Sequence, residues 1–92
     1  MLEPKRDVID FIELKLKKIN RLLNKSQIRQ FSKLIIHSMD KNKEVKVYDD
    51  ADGVSIGIIE YVDYQSNLLK IKMVDGVMLL PLMNLKKIEL NN

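Results

Sequence analysis

Apolar residues recur along the first quarter of the chain at alternating spacings of three and four. The recurring positions are Ile9, Ile12, Leu16, Ile19 and Leu23. Such spacing places side chains in one stripe of an α-helix, and Pro4 is tolerated in a first helical turn. The pattern therefore predicts a helix over residues 4–24. Because Phe11, Leu14 and Leu22 widen its apolar face, this helix must pack against a broad surface.

A second helical period follows a polar break at residues 24–26. Ser26 is a suitable N-cap, and apolar residues resume helical spacing up to Asp40. The repeating positions are Ile28, Phe31, Leu34, Ile35 and Met39. A second helix is therefore predicted over residues 26–40, directly before the first strand.

Beyond Asn42 the apolar period changes to two, which is the period of a β-strand. Val45 and Val47 alternate with polar neighbours in a short first strand. Apolar and β-branched runs predict further strands over 54–62, 68–74, 77–81 and 86–90, with one helical turn at 83–85. Asp75 and Gly76 are typical of a two-residue hairpin between the third and fourth strands.

Gly57 interrupts the long second strand, and we expect a sharp bend there. With one bent strand and four short ones, residues 44–90 are predicted to form a strongly bent, five-stranded antiparallel sheet that closes into a small barrel. No repeat or flexible linker divides the chain, so the helices and the sheet should share one core. The expected fold is α+β, with two N-terminal helices followed by a small β-barrel in a single domain of residues 1–92.

The chain has 92 residues, of which 46% are hydrophobic, so it can bury one modest core. It has no cysteine for disulfides or zinc, and a homo-oligomer is the expected source of added stability. The absence of cysteine also fits a reducing cytoplasm. No apolar run approaches a membrane span, and the first residues lack the apolar core of a signal peptide. We therefore expect a cytoplasmic protein outside the membrane.

Few residues of this chain suit catalysis. It contains one histidine, His37, and no cysteine, so no nucleophile and base pair or zinc set is in view. Asp49, Asp50 and Asp52 lack the spacing and terminal glutamate of an EF-hand loop and are better explained as solvated turn residues. The sequence therefore predicts no enzyme activity, no cofactor and no metal site.

Charge is distributed unevenly along the chain. Residues 1–47 carry 12 Lys/Arg and 6 Asp/Glu, whereas residues 48–92 carry 4 and 7. The cations of the helical half include Lys15, Lys18, Arg21, Lys25, Arg29 and Lys33. A basic helical face can meet phosphates, which makes a nucleic-acid-binding protein the alternative function. Solvated helix lysines give the same pattern, so both interpretations stay open.

Several short features between Ser32 and Leu90 occur in a recognisable order. They are Leu34-Ile35 and Met39 in a helix, Asn42-Lys43, Tyr48 with Asp52-Gly53, the run 57–63, Asn67-Leu68-Leu69, and Leu85 with Ile88. This order resembles the YolD-like family of small bacterial and phage proteins. The resemblance implies a non-enzymatic accessory partner of a Y-family translesion DNA polymerase, in a bacterial or prophage DNA damage response.

Gly57, Asp63 and Asn67 stand at intervals of six and four, interleaved with apolar residues. This spacing is similar to the first motif of the Sm/LSm fold, and it implies an Sm-like or SH3-like barrel. Glycine permits the bend, while the aspartate and asparagine can bond backbone groups in a tight turn. The second Sm motif has Ile-Arg-Gly where this chain has Leu-Pro-Leu at residues 80–82. The missing arginine removes a cation that could stack on a base or bind phosphate.

The leading interpretation is a protein-interaction module. We expect the apolar stripe of the first helix to be the partner interface, together with the edge strands of the sheet. This helix-1 stripe consists of Ile9, Ile12, Leu16, Ile19 and Leu23. The expected partner is a second copy of the chain or a larger protein such as a Y-family polymerase. Gly57, Asp63 and Asn67 are expected to be structural.

Overall fold

The computed structural model describes the backbone of residues 4–92 and the side chains from residue 8 onward. Two helices, α1 (Pro4–Ile19) and α2 (Lys25–Lys41), precede the strands. The strands are β1 (Val45–Asp49), β2 (Val54–Asp63), β3 (Leu68–Met73), β4 (Gly76–Pro81) and β5 (Leu85–Leu90), with a 3₁₀ turn, η1 (Leu82–Asn84), before β5. The predicted α+β class with two N-terminal helices is confirmed.

The first helix ends at residue 19 and not at residue 24, because Asn20 redirects the chain. Its Oδ1 accepts hydrogen bonds from the backbone N–H groups of Leu22 and Leu23 at 2.8 and 3.2 Å. Its Nδ2 donates to the carbonyl oxygens of Leu82 and Leu85 at 2.8 and 2.7 Å. Asn20 is only 4% exposed. The buried amide therefore ties the connection between the helices to η1.

Asn24 caps α2, so the prediction of Ser26 as N-cap is wrong. The Asn24 Oδ1 accepts from Gln27 N at 2.8 Å, and the Gln27 Oε1 accepts from Asn24 N at 2.9 Å. This reciprocal pair is a capping box, which satisfies two backbone donors that the helix itself leaves unpaired. At the other end, Asn42 is left-handed with φ 53° and ends the helix.

The buried Ser38 hydroxyl joins the end of α2 to the sheet. β1 and β2 pair antiparallel, with Val45 opposite Gly57. Two residues further on, the same register sets Lys43 opposite Ile59. The Ser38 Oγ accepts from Ile59 N at 2.9 Å and donates to Lys43 O at 2.7 Å. The hydroxyl therefore bridges the next rung of the β1–β2 ladder and holds α2 against the strands.

The five strands form one antiparallel sheet in the order β4-β3-β2-β1-β5. The prediction of a closed barrel is wrong, because β4 and β5 are the two edges of this sheet and no ladder joins them. α2 packs on β2 and β5, while α1 packs on α2 and η1. The helices, and not a pairing of the edge strands, therefore cover the inner face of the sheet.

β2 changes its pairing partner midway along its length. Residues 54–57 pair with β1, and residues 58–63 pair with β3. Gly57 lies at this change, and a Cβ there would clash with the carbonyl oxygen of Lys72 on β3. The close approach of the two backbones therefore requires glycine. The β-bulge lies further on, between Ile59 and Tyr61, where β2 has one residue more than β3.

The hairpin between β3 and β4 is shifted by one residue from its predicted position. Met73 pairs with Gly76, so the loop consists of Val74 and Asp75. Gly76 has φ 151°, a conformation that strains any residue with a Cβ. Gly76 correctly indicated a two-residue hairpin, but it is the first residue of β4 and not the second loop residue.

Candidate interaction surfaces

The outer edge of β4 is the least protected edge of the sheet. β4 pairs with β3 on one side and ends the sheet on the other. Its six residues, Gly-Val-Met-Leu-Leu-Pro, include no charged side chain. Val77 and Leu79 are 56% and 55% exposed. Edge strands of soluble proteins usually carry charges that prevent pairing with another chain. We call Gly76–Pro81 the β4 edge and treat it as a candidate docking site.

Apolar surface continues from the β4 edge across the outer face of the sheet. The cross-strand rows are Leu79, Lys70 and Tyr61, followed by Val77, Lys72 and Ile58. Tyr61 is 46% exposed, and the Lys70 Nζ lies 5.3 Å from its ring centroid. The same Nζ lies 3.4 Å from a carboxylate oxygen of Glu60. The outer face therefore combines apolar side chains with two lysines, Lys70 and Lys72, on the strand next to β4.

The opposite edge, β5, carries charged side chains that are engaged within the chain. The Tyr48 Oη donates to Glu89 Oε1 at 2.6 Å, and the Lys87 Nζ lies 3.4 Å from the other Glu89 oxygen. The Lys86 Nζ lies 3.2 Å from Asp52 Oδ1. Charges of this kind discourage the docking of another strand. The two edges of the sheet therefore differ in chemistry, and β4 is the more receptive one.

The stabilisation that the Tyr48–Glu89 hydrogen bond contributes to the fold depends on pH at both the acidic and the alkaline end. The hydrogen bond from Tyr48, together with Lys87, lowers the pKa of Glu89. The bond to Glu89, with partial burial and the nearby negative charge, raises the pKa of Tyr48. The Glu89 contribution to stability is complete above its unfolded pKa and is lost as pH falls through the folded pKa. The Tyr48 contribution is complete below its unfolded pKa and is lost as pH rises through the folded pKa.

The side chains of the helix-1 stripe lie in or against the hydrophobic core of this domain. Ile12 and Leu16 are 0% exposed and Leu23 is 8% exposed, while Ile9 and Ile19 are partly buried against the core. Side chains packed in their own core are not available to a partner, so the prediction of this stripe as the interface needs correction. The large apolar side chains that α1 and its C-terminal connection do expose are Phe11, Leu14 and Leu22.

Three of the six predicted basic residues line one depression on α2. Lys25, Arg29 and Lys33 follow one another at intervals of four on α2 and line a shallow depression of about 590 Å³. The Arg29 Nη1 lies 2.9 Å from Glu13 Oε1 on α1, which partly neutralises the middle cation. The remaining predicted cations, which do not line this depression, are Lys15, Lys18 and Arg21. Lys25, Arg29 and Lys33 therefore form a candidate phosphate-binding stripe on α2.

Asp63 and Asn67 shape the turn between β2 and β3 in different ways. The Asp63 Oδ1 accepts from the backbone N–H groups of Gln65 and Ser66 at 3.0 and 3.1 Å. Asn67 has φ 55°, and its carbonyl oxygen accepts from Leu82 N at 2.8 Å. Its side-chain Oδ1 is buried without a hydrogen-bond partner among the described residues. Asn67 therefore fixes the turn through its left-handed backbone conformation, which asparagine tolerates better than most residues.

Edge strands were expected to join the interface, and β4 is one of the two edges of the sheet. The sequence signal that distinguishes β4 is a strand pattern at residues 76–81 without a single charge. Within the described part of the chain, no group of three or more His, Cys, Asp or Glu side chains is placed to hold a metal ion. Neither described helix is long and apolar enough to cross a membrane.

Comparison of the chain with protein-family models, with curated proteins and with solved structures finds no match in any of the three. The resemblances to YolD-like proteins and to the Sm fold therefore stay predictions.

Proposed function

We propose that this chain is a non-enzymatic protein-interaction module that binds an extended segment of a partner along the β4 edge. The observation that carries the proposal is the combination of an uncharged strand that is paired on one side only with two half-exposed apolar side chains, Val77 and Leu79. A partner strand would satisfy the free backbone groups of β4 by strand addition. Alternate side chains of that strand would contact Val77 and Leu79, which adds specificity to the backbone pairing.

The partner we propose is a Y-family translesion DNA polymerase, in the cytoplasm of a bacterium or in a prophage setting. This choice depends on the YolD-like resemblance of residues 32–90. We also infer that the domain is an Sm-like fold left open between β4 and β5. The support for this inference is the glycine at the partner change of β2 and the tight turn that contains Asp63 and Asn67.

Binding to a purified Y-family polymerase from the same source tests the proposal, with isothermal titration calorimetry as the measurement. Leu79→Lys should weaken binding about tenfold or more. Burying the rest of a half-exposed leucine contributes about 1 kcal/mol, and a lysine on an edge strand opposes pairing.

Leu22→Lys is the matched control for this experiment. Leu22 is 49% exposed, close to the 55% of Leu79, but it lies in the connection between the helices. This variant should bind as tightly as the unmodified chain. Equal affinities for the Leu79→Lys and unmodified proteins would contradict docking at β4, and absence of any polymerase binding would remove this partner.

The second candidate function is nucleic-acid binding by α2. It is favoured by the stripe of Lys25, Arg29 and Lys33 around one depression. Three phosphate contacts would make the logarithm of the binding constant fall with that of the salt concentration at a slope of about −2 to −3. Lys25→Glu should reduce both the affinity and this slope in a fluorescence anisotropy titration with single- and double-stranded DNA. No binding at low salt would eliminate this candidate.

A further inference from the structure

A groove of about 500 Å³ runs between α1 and the N-terminal part of α2. Leu23 and Ile28 line it and are each 8% exposed, whereas Leu14 is 54% exposed beside them. No residue of β4 lines this groove. An interaction here is therefore independent of partner binding at the β4 edge.

Charge changes sign along the groove. Asp10, Leu14 and Lys17 follow at intervals of four and three, so they share one face of α1 and line the groove together. Asp10 lies one turn before Leu14, and Lys17 lies one turn after it. Lys25 lines the same groove next to the connection between the helices, at the Lys17 end. The groove is therefore acidic at one end and basic at the other, and between the ends it carries the apolar side chains Leu14, Leu23 and Ile28 beside the Glu13–Arg29 ion pair.

The remaining charges of the groove do not disturb this order. Glu13 and Arg29 lie on opposite walls, and the Arg29 Nη1 is 2.9 Å from Glu13 Oε1. Because these two side chains are paired with each other, the polarity of the groove is set by Asp10 at one end and by Lys17 and Lys25 at the other.

A surface with this charge order is complementary to a reversed copy of itself. In a two-fold symmetric dimer the same patch on both copies meets in opposite directions. Residues 10 and 17 are equally far from a point between residues 13 and 14, about 5 Å on either side along the helix. A two-fold axis through that point sets Asp10 of each copy opposite Lys17 of the other, and it brings the two Leu14 side chains together.

We propose that this groove is the contact between two copies of the chain, which pack α1 against α1 in antiparallel orientation. Leu14 from each copy fills the apolar middle over Leu23 and Ile28. The symmetry-related pairs of Asp10 with Lys17 fix the direction of packing, because a parallel arrangement would place like charges together.

Charge reversal tests this arrangement in the full chain, with sedimentation equilibrium as the measurement of mass. Asp10→Lys would set two lysines against each other at both symmetry-related contacts, and Lys17→Glu would set two acids against each other. Each exposed contact changes affinity by about fivefold, so either variant should weaken self-association by about 25-fold. Both residues are exposed, and circular dichroism would verify that the variants keep their fold.

Mixing the two variants gives the decisive result. A chain with Asp10→Lys and a chain with Lys17→Glu restore opposite charges at both contacts, so the mixture should form a one-to-one heterodimer. The double variant should recover self-association for the same reason. Lys33→Glu makes the same change of charge at an exposed residue outside the groove and should keep the mass of the unmodified chain.

Four results would overturn the proposal. The unmodified chain could stay monomeric at all concentrations, or the single variants could keep its dimeric mass. The mixture could fail to associate beyond the level of either variant alone. Finally, Lys33→Glu or Leu79→Lys could dissociate the dimer as strongly as Lys17→Glu, which would place the contact on another surface.

Discussion

Replacing Asn20 with alanine should remove a tie between the helices and η1. The buried amide makes four hydrogen bonds, two to the carbonyl oxygens of Leu82 and Leu85 and two from backbone N–H groups of the connection. Each carbonyl left buried without a donor costs about 1 kcal/mol, and each lost bond to the connection costs about 0.5 kcal/mol. We therefore expect Asn20→Ala to lower the free energy of unfolding by about 3 kcal/mol.

Urea denaturation followed by far-UV circular dichroism measures this loss. A loss of about 3 kcal/mol is a large part of the total stability of a small domain, and it corresponds to a decrease in Tm of about 12–24 °C. Asn24→Ala is the matched control, since Asn24 is an exposed asparagine that caps α2. Loss of such a cap typically costs about 1 kcal/mol.

Asn20→Asp tests the donor role of the Asn20 side chain separately from its acceptor role. The carboxylate keeps an acceptor for the connection but replaces the donor with an oxygen that faces two carbonyl oxygens. This variant should be at least as unstable as Asn20→Ala at neutral pH. If Asn20→Ala lost no more stability than Asn24→Ala, or if Asn20→Asp matched the unmodified chain, the amide would not be the tie that we infer.

Three further perturbations test other parts of the fold. Gly57→Ala should destabilise by about 2 kcal/mol in thermal unfolding, because its Cβ meets a backbone carbonyl that cannot rotate away; an unchanged Tm would contradict this. Ser38→Ala removes the hydroxyl that bridges Ile59 N and Lys43 O and should cost about 2 kcal/mol in urea, whereas a loss below about 0.5 kcal/mol would show that water replaces it. Tyr48→Phe should raise the pKa of Glu89 toward its ordinary value in an NMR titration, since the largest cause of its lowering is removed; an unmoved pKa would assign the lowering to Lys87 and Lys46.

Local patterns in the sequence determined the type and order of the elements. Spacings of three and four predicted both helices, and the change to a period of two at residue 45 predicted the strands. Glycine also marked two real constraints, the close approach at Gly57 and the positive φ of Gly76. These features were predictable because they depend on residues that are near one another in the chain.

Long-range contacts decided the rest. α1 ends where it does because Asn20 bonds carbonyl groups 62 and 65 residues away, which no local pattern reveals. Likewise, periodicity showed that the helix-1 stripe shares one face but could not show that the chain's own core covers it. Edge strands were expected at the interface, but only the topology showed that β4 is an open edge, and only the packing of α1 on α2 created the groove beside Leu14. The periodicity of a sequence predicts which side chains share one face of a helix or strand. Their burial depends on which other element packs against that face.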